Sequence, residues 1–440
     1  MAPPDDPVGR LFDLERFGIK LGLDNIRTLA RALDHPERSF SCIVVAGTNG
    51  KGSVAAAIER GLRAAGYRTG LYTSPHLNEL AERFAVDGEP VDDDALATEA
   101  LTVVDTADAL QASGRLPHPP TFFEATTALA LALFRRRNVQ AAVLEVGLGG
   151  RFDATNIVTP AAVAIPSIDI DHQQHLGETI EAIATEKAGV IKPGSLVVTG
   201  ETKPVARRVV DGAAAKCGAR VIDIDDGVTV RWTIDDAGLT RVSRLATPLG
   251  DYGPLTLALR GRHQVRNGLV AVRLLEELGA AGLQVSRDAI LSALTDVRCR
   301  GRLELVDAAP GRRVLLDPAH NVAAATALAD YVRTLAPAGL PAVFGALADK
   351  DVIGMLRALG PVVTRVICAP IDSPRARSVD DLQAAARTAC PDLPVSSANT
   401  PDAALDQAWR DGPLALATGS MYLVGALLPR LTPRGEGPRA

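Results

Sequence analysis

The sequence predicts an α/β fold in two successive units, on three observations. Short apolar runs alternate with segments of helical period over residues 42–200, and the same alternation returns from about residue 302 onward. A glycine-rich loop joins the first apolar run to the first helical segment. Between the two series, residues 227–260 switch to period-two alternation, which suits a small antiparallel patch. A chain of 440 residues also exceeds what one hydrophobic core organises, so length alone argues for two domains.

The elements follow in order. Cys42–Ala46 reads as a strand, and "SVAAAIERGLRAAG" after the glycine loop has helical spacing and ends on Gly66. Residues 68–74, 141–147, 161–168 and 195–200 read as further strands, apolar on both faces as a sheet covered on both sides requires. Residues 122–138 and 179–191 read as crossover helices. "VTVRWTI" and "PLTLALRG" carry the period-two patch at one edge of the first unit, and helices near 263–278 and 286–296 close it. The second series runs through "RLELV", "RRVLLD", "PAVFG", "RVICAP" and "PLALATG". The junction falls near 297–301, giving domains at 1–296 and 297–430. The closing segment 431–440, rich in Gly, Pro and Arg, is expected to be a disordered tail.

Composition narrows the function. A net charge of −5 with both signs intermixed offers no basic face, so nucleic acid is not an expected partner. No uncharged apolar stretch reaches about 18 residues, and "MAPPDDPVGR" is neither a basic leader nor an apolar signal core. A soluble cytoplasmic protein with no membrane partner is expected. The five cysteines form no C-x-x-C pair and read as inert core thiols in a reducing compartment.

The chemistry begins at "VVAGTNGKGS", residues 44–53. Against the phosphate-loop pattern G-x-x-x-x-G-K-[ST], aligning Lys51 puts Val45 at the first glycine and Gly52 at the hydroxyl. The strand-loop-helix context nevertheless turns backbone N–H groups toward an anion. Lys51 would lie on the outer phosphates, and a hydroxyl from Ser53 or Thr48 could reach a magnesium ion. The alternative is a tight turn that uses glycine only for its backbone freedom.

Three strand ends add polar groups. Glu145 opens "EVGLGGRFDATN", and a carboxylate leaving a buried strand is costly unless a cation receives it. "TSPHL" brings Ser74, and "SIDIDHQQHLG" brings His172, with His175 as an ordinary loop histidine. Strand ends are where open α/β sheets gather ligands. In the second series "LDPAHN" delivers Asp317, His320 and Asn321 into a crevice, and Arg302 stands just past the junction, facing the first domain.

Taken in order, "KLGLDNI", "GTNGKGS", "TSPHL", "PTFFEATT", "EVGLGGRFDATN", "DH…LG…EKAGVIK", "HQVRN", "GRLE", "DPAHN", "ADKD" and "ATGSMYLVG" span nearly the whole chain. With them the sequence resembles the Mur ligase superfamily, in its folate branch of dihydrofolate and folylpolyglutamate synthases. That family writes its loop G-T-N-G-K-G-[ST], so the misfit at Val45 and Gly52 is the family's own form. The resemblance implies a P-loop-type central ATPase domain followed by a Rossmann-like glutamate-ligase domain. It implies ligation of L-glutamate to a pteroate or folate carboxylate, driven by ATP through an acyl phosphate.

By the same resemblance Thr48, Asn49, Gly50, Lys51, Gly52 and Ser53 hold ATP, together with Asn267, Arg302 and Asp317. Ser74, Glu145 and His172 match Mg2+ ligands, with two ions expected, and Lys187 matches a lysine carried as a carbamate. Lys51, His172, Lys187 and Arg302 are the expected catalytic residues. Leu21, Gly22, Leu23, Thr121, Phe122, Phe123, Glu124, Phe152, Asp153 and Ala154 match the pterin pocket, and His320 and Ser420 are expected on substrate. Asp169 and Pro318 depart from the family's usual residues without removing a ligand, and leave local loop shape open. A cell-wall Mur ligase is the competing reading, disfavoured because only residues 1–46 precede Gly47. A nucleotide-binding regulatory module without ligase activity is the other. A monomer acting on small molecules is expected.

Overall fold

Alternating burial sorts the apolar runs into sheets covered on both faces. In the computed structural model, which describes residues 6–18 and 20–431, the first sheet has eight strands. They are β1 Ser41–Val45, β2 Thr69–Tyr72, β3 Phe84–Val86, β4 Glu89–Pro90, β5 Ala141–Glu145, β6 Pro160–Ile165, β7 Leu196–Thr199 and β8 Arg220–Asp223, in the order β4-β3-β2-β5-β1-β6-β7-β8. From β2 to β8 all neighbours are parallel. Along β1, Cys42 and Val44 enter one core while Ile43 and Val45 enter the other, the period-two division that a doubly covered strand makes.

Two edge features go beyond the sequence reading. β3 and β4 form an antiparallel hairpin on β2, turned by Asp87 and Gly88 at φ 52° and 81°. Positive φ at both positions is what an Asp-Gly hairpin turn requires. β8 closes the far edge. The period-two region is a small antiparallel sheet of β9 Thr229–Ile234, β10 Thr240–Ala246 and β11 Leu255–Thr256, ordered β11-β10-β9. Val242 and Leu245 bury its inner face in the same core as Ile222 and Ile224. The helices Arg262–Glu277 and Arg287–Thr295 pack beside it.

The third sheet comprises β12 Glu304–Ala309, β13 Arg312–Asp317, β14 Leu340–Phe344, β15 Val363–Cys368, β16 Val395–Ser397 and β17 Leu414–Thr418. Its order is β12-β13-β17-β14-β15-β16, parallel throughout except for β12 against β13. β16, a part-buried edge strand, carries too short a pattern for the sequence reading to have found it. The loops after β1 and β6 meet those after β13 and β14, so carboxyl ends of both large sheets share one seam. Of the expected tail, residues 432–440 lie outside the described residues. Among the described residues no helix is long and apolar enough to cross a membrane.

Gly70 in β2 has no room for a side chain, because a Cβ there would sit 2.9 Å from ring atoms of Phe134. Gly70→Ala should therefore destabilise the first sheet by about 1–3 kcal/mol through overpacking. Urea unfolding would read this as a lower midpoint at unchanged slope, and an unchanged midpoint would refute it.

Candidate active site between the two sheets

The glycine loop is pinned from both ends. Thr48 N–H donates to Ser167 O at 2.7 Å, and its hydroxyl donates to Asp169 O at 3.0 Å while accepting from Asp169 N–H at 2.9 Å. Gly50 turns the chain at φ 85°, and a Cβ there would lie 2.4 Å from Asn267 Oδ1, so the position admits only glycine. The helix Lys51–Ala64 then starts with no side-chain cap, leaving its first N–H groups for an anion. Lys51 Nζ folds back to donate to Thr48 O at 3.1 Å. Ser53 is buried and accepts from Gln264 Nε2 at 3.2 Å, and Gln264 in turn accepts from Asn267 Nδ2 at 2.9 Å. Both hydroxyls considered for a cation, on Thr48 and Ser53, are thus already engaged by protein groups.

Glu145 ends β5 fully buried, and Ser74 N–H reaches its Oε2 only at 3.3 Å. Burial pushes its carboxyl up, against the pull of Lys51 and Arg302. A buried carboxylate with one long backbone hydrogen bond fits a hard cation, which takes oxygen ligands and completes its shell with phosphate and water. A Cβ on Gly52 would sit 3.6 Å from Glu145 Oε2, so the position that carries a hydroxyl in the standard loop here faces this acid. His172, at φ 51°, caps the short helix Gln173–Leu176. Burial lowers its imidazole to about 4, so it is neutral at pH 7 and keeps a lone pair for a metal. Among the described residues no three His, Cys, Asp or Glu side chains cluster as a metal cage.

Lys187, on the helix Ile180–Ala188, is buried with its Nζ donating to Gly47 O at 2.8 Å. Burial, helped by the nearby charge of Lys51, lowers its amine to about 7.

Across the seam, Asp171 accepts from Lys350 Nζ at 2.7 Å, with both side chains under a tenth exposed. Asn321 Nδ2 lies 3.3 Å from Asp171 Oδ2, and His320 Nε2 lies 3.5 Å from the same oxygen. Burial alone would raise this carboxyl, but the His320 hydrogen bond and the neighbouring His172, His320 and Lys350 hold it well below the usual range. Asn49 and Asn321 exchange amide hydrogen bonds of 3.3 and 3.0 Å. Asp171 and Lys350 were not among the residues singled out from sequence, although one adjoins His172 and the other sits in "ADKD". Asp317 Oδ2 accepts from Leu303 N–H at 3.1 Å, and burial pushes its carboxyl up against Arg302. Cys299 corrects the reading of all five cysteines as core thiols, since its thiol, pushed up by burial, feels Arg302, Glu145 and Ser53 of the site itself. Cys42 and Cys368 do lie in the cores, raised by burial to about 12 and 11.

The residues matched to a pterin pocket divide in two. Thr121 and Glu124 form a capping box on the helix Phe122–Arg136, Glu124 Oε2 accepting from Thr121 N–H at 2.7 Å. Phe123 packs on Tyr72 and over Gly147, and Phe122 stacks on Phe12 with centroids 5.5 Å apart. Asp153 accepts from Leu148 N–H, Thr155 N–H and Thr155 Oγ1, with buried Ala154 beside it. Leu21 and Phe152, by contrast, are 52% and 37% exposed, with the Arg151 guanidinium over the Phe152 ring at 4.6 Å, while Leu23 packs partly into the core and Gly22 separates it from Leu21. Ser420 is buried and accepts from Tyr422 N–H at 3.1 Å.

Comparison with known proteins adds to this geometry. A family profile described as "Mur ligase middle domain" matches residues 45–275, and one described as "Mur ligase, glutamate ligase domain" matches residues 301–421. The dihydrofolate synthase/folylpolyglutamate synthase of Bacillus subtilis is 34% identical over 427 residues, 94% of this chain and 96% of that protein. The solved Mycobacterium tuberculosis folylpolyglutamate synthase complexed with ADP and AMPPCP is 33% identical with a TM-score of 0.88, over 99% of this chain and 100% of that one. A bifunctional folylpolyglutamate synthase/dihydrofolate synthase with Mn, AMPPNP and L-glutamate bound has a TM-score of 0.81 at 29% identity, covering 98% of this chain and 100% of that one.

A methyl group at position 50 would strain the turn and strike Asn267. Gly50→Ala should therefore weaken ADP binding by at least about tenfold, ~1.4 kcal/mol. Calorimetric titration checks this, and wild-type affinity in the variant would count against the loop as the phosphate site.

Proposed function

As a member of the Mur ligase family, in its dihydrofolate synthase/folylpolyglutamate synthase branch, the chain is an ATP-dependent glutamate ligase, and we propose how its own residues carry the reaction. The ligase joins L-glutamate to a pteroate or folate carboxylate through an acyl phosphate. The observation that most supports the residue roles is the meeting of the glycine loop, Glu145, His172 and Lys187 with Asp317, His320 and Lys350 at one seam.

In this reading residues 1–296 take ATP and the pterin, and residues 297–430 bring Arg302, Asp317, His320 and Ser420. The N–H groups of Gly50–Ser53 and Lys51 cradle the triphosphate, with Asn267 and Asp317 on the nucleotide. Ser74, Glu145 and His172 would hold Mg2+, whose charge neutralises the phosphates and helps align in-line transfer. Two anions must approach for that transfer, and like charges ~4 Å apart cost roughly 4 kcal/mol at an effective dielectric near 20. Lys51 and Arg302, whose charges already act on Glu145, offset this repulsion. Leu21 and Phe152 offer apolar contact to the pterin.

Lys187 suits carbamate formation. Its amine, lowered to about 7, is substantially unprotonated at neutral pH and can add to carbon dioxide, releasing a proton and leaving an anion for a second magnesium ion. With labelled carbon dioxide, a carbon-13 carbamate resonance should appear at pH 8, fade as pH falls through about 7, and vanish in Lys187→Ala. A spectrum identical in the variant would remove Lys187 from this role.

Purified protein with ATP, Mg2+ and glutamate should convert dihydropteroate, tetrahydrofolate or both into a product heavier by one or more glutamyl units, with matching ADP release. Mass spectrometry of the two reactions reads which acceptor is used. ADP release that does not depend on glutamate, with no adduct on either acceptor, would defeat the reading.

A further inference from the structure

We propose that Arg83, oriented by His76 and Phe122, binds the reacting carboxylate of the acceptor and sets it beside the phosphate site; this rests on the ligase reading above. Arg83 closes the turn Leu80–Arg83 and is only 7% exposed. Its Nε donates to His76 Nδ1 at 2.9 Å, and its guanidinium carbon lies 5.0 Å from the centroid of the Phe122 ring. Both of these contacts are with uncharged rings, and its charge acts on Glu145 at longer range. A nearly buried arginine normally has an anionic partner, because burying its charge unpaired is costly.

The surroundings indicate which anion fits. His76 accepts the Nε–H at Nδ1, which fixes that ring nitrogen as the acceptor. That contact uses the inner nitrogen of the guanidinium and leaves the two terminal nitrogens as a fork suited to a carboxylate. On one side stands the aromatic shelf of Phe122 and Phe12. Two residues before His76, Ser74 donates its N–H to Glu145, and the charge of Arg83 acts on that acid as well. A ligand spanning the two would be flat and apolar at one end and a carboxylate at the other, which describes the acceptor of this ligation. Arg83 touches substrate in this account. His76 is a positioning residue that acts through it.

The test compares dihydropteroate with its carboxamide, which keeps the aromatic body and removes the charge. By equilibrium binding, Arg83→Gln should weaken dihydropteroate about 10- to 100-fold, as loss of charged hydrogen bonds does. The carboxamide should change less than about threefold, and ADP affinity should hold. Equal losses for both acceptors, or no loss for dihydropteroate, would overturn the proposal. Should Arg83→Gln fail to fold, Arg83→Lys keeps the charge but not the fork and is expected to show the same selective loss in smaller measure. Wild-type turnover is the control: absence of glutamate-dependent ADP release refutes the ligase reading itself. Turnover together with an unselective Arg83 variant refutes only the role of Arg83.

Discussion

The seam depends on one contact between opposite charges, that of Lys350 Nζ with Asp171 Oδ1 at 2.7 Å, buried where the two large sheets meet. Such a pair adds little net stability compared with well-packed apolar residues, but removing either partner strands the other at a cost of about 3–5 kcal/mol. Its value here is registration. Asp171 adjoins His172, and Asn321, which reaches Asp171, also exchanges amide hydrogen bonds with Asn49 of the glycine loop. The phosphate loop and the third sheet therefore belong to one hydrogen-bonded unit.

Charge around the loop is arranged to suit a polyanion. Lys51 acts on Glu145, His172 and Lys187, and Arg302 acts on Glu145, Asp317, His263 and Cys299. Cations gathered about a buried acid are tolerable when the acid binds a metal and the cations receive phosphates. Burial first, and this crowding second, lower the basic groups of Lys187, His172 and His263.

Much of this organisation was legible in the sequence because it is local. Doubly buried strands, a glycine turn and a following helix each leave a pattern within a few residues. Glu145 and His172 were found because a polar residue interrupts an apolar run at a strand end. What escaped notice is relational: Asp171 and Lys350 are 179 residues apart, and no periodicity reports their contact. Arg83 and His76 were missed for a related reason, since a buried cation is defined by what surrounds it. Family resemblance matches Thr121 and Glu124 to a pocket, and their side chains also cap a helix, a role the T-x-x-E spacing itself signals. The hairpin of β3 and β4 was marked by Asp87–Gly88 but too short for alternation to register.

The margins of the first sheet carry a different consequence. At one end β4 is only Glu89–Pro90, where proline has no N–H to offer a further strand. At the other, β8 begins and ends on Arg220 and Asp223, which are tied to Glu277 and Arg207. Neither border is a good template for another backbone. Crowded copies of this chain are thus steered away from adding strands to one another, and a doubly wound sheet of this size stays closed to growth.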